Sequence, residues 1–425
     1  MQNNLQYQSY IAALSRELVP ALGCTEPIAI AFAAAKAREV LGIFPERMEM
    51  LCSGNVIKNV KSVTVPNSGG LSGVEIAAVL GVVGGNAARD LEVLEEITPE
   101  HIQRAQELLQ NGFFRYTLAE GVENLYIAAS VYAGEESARV TIINRHTLIT
   151  EIVKNDTVVY KNDPIEQKAG IECSLWSVKG ILDYVTNGDL SPVKEILQRQ
   201  IQMNSAIASE GLSQPYGAQV GRTLLDCEGD TLRTRAKAYA AAGSDARMGG
   251  CSLPVVINSG SGNQGMTVSL PVIVYARELG ASEETLLRAL ALSNLISIYQ
   301  KHYIGSLSAF CGAVTAACGS GAAITYLSGG DYDAICRTII NTTANVGGII
   351  CDGAKSSCAA KIASSIDAAI MAHNMSMRGL CFHDGEGVVK GDVEDTIRSI
   401  GYIGRVGMKE TDIQILHLMM NQVDL

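Results

Sequence analysis

Charge is scarce in this sequence. Asp, Glu, Lys and Arg together make up 18% of the 425 residues, while apolar residues make up 47%, which excludes an intrinsically disordered chain. Of the charges present, 33 Lys and Arg face 44 Asp and Glu, and the net charge of −11 argues against nucleic acid or an anionic membrane surface as the main partner. No apolar run approaches the roughly 20 residues that a membrane span needs; the stretch from Ile28 to Ala35 is cut by Lys36. The opening MQNNLQYQSY lacks a basic segment followed by an apolar one, so no signal peptide is expected and the chain reads as cytoplasmic. Paired C-x2–4-C knuckles are missing too, against the usual pattern of a zinc ribbon. Aromatic residues are only 5% and prolines only 10, which leaves the core to small and aliphatic side chains.

Glycine, by contrast, is abundant at 42 residues, beside alanine-rich runs at Ala33 to Ala35, Ala238 to Ala242 and Ala313 to Ala323. This predicts helices packed closely through small side chains, with glycine opening close backbone approaches. Eleven cysteines accompany them. An odd count in a chain expected in reducing cytosol speaks against a disulfide framework, leaving buried small hydrophobes, metal ligands or reactive thiols. The length suggests two or three domains at roughly 100–200 residues each. A chain of this size buries about three quarters of its unfolded surface and needs no disulfide or metal to hold a core.

Helical spacing runs from Leu5 to Leu18 and stops before Pro20. A second helix is predicted from Thr25, taken as N-cap with Glu26 and Pro27 in the first turn, to about Leu41. From Met50 to Val65 short β-prone runs follow, then a small-residue helix from Val74 to Gly81, and a helix opened by Thr98-Pro99-Glu100 and ending near Gly112. Between Phe113 and Tyr160 the period changes to two, as in a small antiparallel sheet. Beyond Pro164 the pattern is mostly helical, with glycine-rich breaks at 249–250, 258–265, 347–353 and 384–391. The expected fold is mainly α with an α+β subdomain. Residues 1–44 and 165–425 would form a helical catalytic domain of small-residue helices, and residues 45–164 the α+β subdomain with its small antiparallel sheet.

Four cysteines stand out by context. Cys24 directly precedes a helix start, where partial positive charge lowers a thiol's pKa. Cys311 lies in SLSAFCGAV, Cys351 in GGIICDG and Cys358 in AKSSCAAK. An unbroken helix would hold the backbones of Cys351 and Cys358 about 10.5 Å apart. The glycines around Cys351 instead predict a loop that folds back on the first turns of a helix carrying Cys358. Thiolates call for a soft cofactor, zinc or iron–sulfur, and distant cysteines on glycine-rich turns suit a cluster better; ordinary helix packing explains Cys311 and Cys351 equally well. Cys52, Cys173, Cys227, Cys251, Cys318, Cys336 and Cys381 read as packing residues. Asn67-Ser68-Gly69 and Asn258-Ser259-Gly260 both precede apparent helices, where backbone N–H groups suit a carboxylate, and Asn263 and Gln264 add side-chain donors. The first of these segments reads more readily as a plain turn or N-cap. Lys301 and His302 are alternative bases, or else a solvated lysine and a structural histidine.

The motifs GCTEP (23–27), NSGSGNQGM (258–266), KHYIGSLSAFCG (301–312) and GGIICDGAKSSCAAK (347–361) together resemble the L-cysteine desulfidases, relatives of the α part of iron–sulfur L-serine dehydratases. The resemblance runs over nearly the whole chain. It implies a [4Fe–4S] cluster held by Cys311, Cys351 and Cys358, with Cys24 as proton acceptor, and it supports Ser259 and Asn263 toward the substrate; Asn67 and Ser68 are substrate-binding candidates from their place before a helix alone. The implied reaction is β-elimination of L-cysteine to pyruvate, ammonia and hydrogen sulfide. A gap between the last two cluster cysteines shorter than in the serine dehydratases favours cysteine, with L-serine or another small amino acid as the alternative. The expected partners are a small amino-acid substrate and a second copy in a homodimer, with no nucleic acid and no membrane. Two rival readings remain: a pyridoxal-phosphate lyase using the glycine-rich GSGNQG and Lys355, and an amino-acid sensor without turnover.

Overall fold

The computed structural model describes residues 2–162, 171–305 and 307–419, so the expected domain boundary at 164/165 lies outside the described residues. The chain begins with α1 (Gln2–Glu17), β1 (Pro20–Leu22), α2 (Thr25–Leu41), β2 (Arg47–Ser53), α3 (Gly54–Val60), α4 (Val74–Gly84) and α5 (Pro99–Gln110). Five strands follow: β3 (Phe114–Ala119), β4 (Tyr126–Ala133), β5 (Glu136–Ile143), β6 (Ile149–Lys154) and β7 (Thr157–Lys161). Then come α6 (Val178–Asn187), α7 (Lys194–Ser213), α8 (Val220–Glu228), α9 (Leu232–Met248), β8 (Pro254–Val256), α10 (Gly262–Glu278) and α11 (Glu283–Ile304). The last helices are α12 (Gly312–Leu327), α13 (Tyr332–Val346), α14 (Cys358–Ser376), α15 (Val393–Tyr402) and α16 (Lys409–Met419). The fold is mainly α with one six-stranded sheet, as the sequence pattern implies, and a separate antiparallel β1–β8 pair. Among the described residues no helix is long and apolar enough to cross a membrane.

Six strands form the sheet in the order β3-β2-β4-β5-β6-β7. Every neighbouring pair is antiparallel except β2 and β3, which run parallel with Met48 opposite Phe114. The expectation of a purely antiparallel sheet therefore fails at one edge. A parallel pair needs a long crossover, and α3, α4 and α5 supply it.

Helix α2 is buried along nearly its whole length, from Thr25 to Ala35. Its apolar, alanine-rich surface on every side is what a helix sandwiched in a core requires, and α4 packs on one side of it while β4 and β5 pack on another. The crossing with α4 is close because Gly81 has no side chain; a Cβ there would overlap the backbone of Ala31. Gly42, with φ of 86°, ends the helix in the left-handed region and returns its N–H to Arg38 O. Two local expectations are corrected here. Cys24, not Thr25, is the N-cap of α2, because the Thr25 hydroxyl turns away to Gly260 O at 2.8 Å. The β-prone run after Met50 contains the helix α3, whose Val56, Ile57 and Val60 are buried in the core; burial overrides their strand propensity.

Candidate active site

Four helix starts meet at one cavity of about 400 Å³. Cys24 caps α2, Ser261 caps α10, Cys311 caps α12 and Cys358 is the first residue of α14, and all four line this cavity. Each helix N-terminus carries about half a positive charge, so the cavity is prepared for anionic groups. Cys351 joins them from the loop before α14. An isolated bridge pairs Phe310 with Ile350, and the Cys311 N–H donates to Ile349 O at 3.0 Å and the Cys351 N–H to Ala309 O at 2.6 Å. The two cysteines are thus tied together through their backbones, with Cys351 on a loop and Cys358 at a helix start, as the glycine pattern implies. All eleven cysteines are free thiols. Cys52, Cys251 and Cys318 are buried in the core, whereas Cys227, read as a packing residue, is exposed.

At the start of α2 the Cys24 thiol donates to Glu26 Oε2 at 3.1 Å, with Thr25 Oγ1 also 3.1 Å from that oxygen. The other carboxylate oxygen accepts from Asn59 Nδ2 at 2.9 Å and lies 3.7 Å from His146 Nε2. His146 reaches in from the turn between β5 and β6, so the sheet contributes to the site. Burial alone would raise the Glu26 pKa, but His146 and the Cys24 hydrogen bond outweigh it and hold the carboxyl down at about 2. Cys24 behaves oppositely. Burial, then the Glu26 charge, pushes its thiol well above the usual range, with Arg247 working the other way. The expectation that the helix N-terminus lowers this pKa is corrected, because desolvation of a fully buried thiolate exceeds the dipole's contribution. Burial also pushes Cys311 up to about 12 and raises Cys358.

The Asn258–Ser261 turn faces α2 across the cavity. Asn258 is fully buried and donates to Asn294 Oδ1 at 2.9 Å, while Asn294 donates to Gln200 at 2.8 Å. This buttress holds Ser259 in the left-handed region, with φ of 49°, a conformation that costs a non-glycine residue of order 1 kcal/mol and is concentrated at functional sites. Lys301, at the end of α11, is buried and lines the cavity; desolvation lowers its pKa, against the opposing influence of Cys351 and Cys311. His302 lines the cavity as well.

Of the residues singled out from sequence, Cys24, Ser259, Asn263, Cys311, Cys351 and Cys358 line this cavity together. Asn67 and Ser68 do not: Asn67 Nδ2 donates to Leu94 O at 2.9 Å and Ser68 Oγ to Leu71 O at 2.8 Å. Their loop sits behind the site, where the ring of Pro66 occupies the space that a side chain on Gly23 would need. Lys355 faces Asp352 at 3.8 Å and is not part of the lining. The sequence reading missed Asn59, His146 and Arg247 and took Glu26 only as a first-turn residue. Glu26 stood within the GCTEP motif, whereas His146 in a hairpin turn and Arg247 in an alanine-rich helix carried no local signal.

Several cysteines, a carboxylate and two buried basic side chains, Arg247 and Lys301, line this cavity where the helix ends converge, an arrangement suited to small anionic groups. The chain belongs to the serine dehydratase alpha chain family, whose model matches residues 88–417. It is 52% identical over 417 residues to a UPF0597 protein of Lachnoclostridium phytofermentans, covering 98% of this chain and 100% of the relative. UPF0597 proteins of Desulfitobacterium hafniense and Finegoldia magna are 49% and 48% identical, covering 98% of this chain in each case and 97% and 100% of those relatives. Family membership supports a lyase-type enzyme of amino-acid degradation.

Proposed function

We propose that this chain is a β-eliminating lyase that converts L-cysteine and water to pyruvate, ammonia and hydrogen sulfide. In this proposal Cys311, Cys351 and Cys358 hold a [4Fe–4S] cluster. L-serine or another small amino acid is the alternative substrate for the same route. The observation that carries the reading is the shared lining of one cavity by Cys24 and these three cysteines. A polynuclear cluster takes each thiolate on a different iron, so its ligands need a common cavity rather than a common point. The donor set fits that requirement. When bound with three protein thiolates, such a cluster supplies an open iron as Lewis acid.

The chain's own residues supply the proton handling. Cys24 first loses its thiol proton to solvent and then, as thiolate, accepts the Cα proton of the substrate; the elevated pKa that keeps the thiol protonated at rest makes that thiolate a strong base. Glu26 fixes the thiol's direction through the 3.1 Å hydrogen bond. Arg247 is the neighbouring charge that favours the thiolate, and Lys301 places a second cation beside Cys311 and Cys351. Loss of the β-substituent leaves an enamine, which tautomerises and is hydrolysed to pyruvate and ammonia.

The test is anaerobic purification, iron and sulfide counts, and assay of sulfide and pyruvate released from L-cysteine. Iron and sulfide near four per chain with turnover are expected. Chains that carry a Schiff-base band discharged by borohydride, or that bind cysteine without releasing either product, would refute the proposal.

A further inference from the structure

We infer that Arg247, Asn263 and Gln264 form a cradle for the zwitterionic head of an α-amino acid, the guanidinium facing the α-carboxylate and the two amide oxygens accepting from the α-ammonium. This rests on reading the cavity as the lyase site and specifies which molecules it admits.

Arg247 lies in the last turn of α9, is only 2% exposed and lines the cavity. Its Nε donates to Gly23 O at 2.8 Å, directly before Cys24. Among the described residues no carboxylate lies within ion-pair distance of it. Asp245, the buried acid on the same helix, instead accepts the Gly221 N–H at 3.0 Å. A buried charge without a partner is strongly unfavourable, so a guanidinium kept there calls for an anion, and its planar fork matches a carboxylate. The position is fixed, since any side chain on Gly262 would overlap the guanidinium.

Asn263 and Gln264 stand in the first turn of α10. Asn263 Oδ1 and Gln264 Oε1 are both buried and accept no hydrogen bond. Both residues line the cavity, and the absence of a side chain on Gly312 leaves room for the Gln264 amide against the start of α12. Buried acceptors left empty are rare and costly. An ammonium group, with three donors and no acceptor, is their complement. Glu26 already accepts from Cys24, Thr25 and Asn59 and faces His146 at 3.7 Å, which leaves it at most one further acceptor site. A guanidinium and two orphan acceptors on one small cavity select a ligand carrying a carboxylate and an ammonium close together.

The test is calorimetric titration of the full-length, anaerobically purified chain with three probes. L-Alanine carries both head groups and nothing to eliminate, propionate lacks the ammonium, and ethylamine lacks the carboxylate. L-Alanine is expected to bind at least about tenfold more tightly than either, the scale of one lost charged hydrogen bond. Arg247→Gln should weaken L-alanine by a similar factor and leave ethylamine unchanged, while Gln264→Met should weaken L-alanine and leave propionate unchanged. Propionate or ethylamine binding as well as L-alanine, no measurable binding of L-alanine, or unchanged L-alanine binding in Arg247→Gln would each overturn the cradle. If Arg247→Gln does not fold, the three probes on the wild-type chain decide alone. A chain that binds L-alanine in this pattern but releases no sulfide or pyruvate from L-cysteine keeps the cradle and loses the lyase. Turnover with an unchanged KM in Arg247→Gln does the reverse.

Discussion

Replacing Glu26 with glutamine separates what this carboxylate does for the fold from what it does to Cys24. Its pKa is held at about 2 against an ordinary 4.5, because His146 and the Cys24 hydrogen bond outweigh a desolvation that alone would raise it. At roughly 1.4 kcal/mol for each pH unit, that difference contributes about 3 kcal/mol to stability near neutrality. A depressed carboxyl pKa stabilises the folded state fully above the unfolded value, and the contribution disappears as pH falls from 4.5 toward 2. In urea unfolding, Glu26→Gln is therefore expected to be less stable than wild type by about 3 kcal/mol from pH 7 to pH 5, and the gap to narrow by about 2 kcal/mol by pH 3. The same substitution acts oppositely on the thiol. After burial, the Glu26 charge is the next cause raising the Cys24 pKa, so its removal should move the rise of kcat/KM with pH to lower pH. A stability gap that stays constant between pH 7 and pH 3, or an activity profile that stays in place or moves upward, would refute this account.

Three further sets of substitutions probe other parts of the molecule. Cys311→Ser, Cys351→Ser and Cys358→Ser should each reduce the iron bound per chain, whereas Cys24→Ala should abolish turnover and leave the iron count and visible spectrum unchanged; loss of iron in Cys24→Ala would make Cys24 a ligand instead. Asp245 is fully buried, and desolvation raises its pKa from 3.8 to about 6. Its ionisation therefore costs about 3 kcal/mol of stability as pH rises from about 4 to about 6, and Asp245→Asn should lack that decline when both proteins are unfolded in urea across this range. Gly81→Ala places a methyl group against the backbone of Ala31 at the α2–α4 crossing, and a loss of about 1–3 kcal/mol in urea unfolding is expected from such overpacking.

How much of this was legible depends on how local the signal is. Helix α2 spans Thr25–Leu41, close to the limits implied by the local residues, although its cap is one residue earlier than expected. Thr98 caps α5, as Thr98-Pro99-Glu100 implies, and also closes a capping box with His101, which no Glu or Gln at that position announces. What escaped depends on distant segments. The β2–β3 pair is parallel because of where the crossover returns, and nothing in either strand encodes that direction. Val56, Ile57 and Val60 look like a strand until the core that covers α3 is known. Asn67 resembles Asn258 in sequence, yet only the turn at Asn258 is buttressed toward the cavity, by Asn294 and Gln200. The direction of the Cys24 pKa follows from complete burial, which no pattern around a single cysteine reveals. His146 and Arg247 come from a hairpin turn and a helix end that are adjacent to Cys24 only in space.

The composition and the site have one physical cause in common. Bringing the starts of α2, α10, α12 and α14 to one cavity crowds backbone against backbone, and only small residues permit it. Gly262 gives its side-chain space to the Arg247 guanidinium and Gly312 gives its own to the Gln264 amide. Four helix N-termini, together with Arg247 and Lys301, then surround the thiols with positive potential. Burial opposes them by keeping the thiols protonated. These two influences balance differently once an anion or a metal enters: positive potential is retained, while desolvation is offset by the new partner. A cavity of this kind rests as neutral thiols and yields thiolates on loading, so uptake of metal should release protons to solvent.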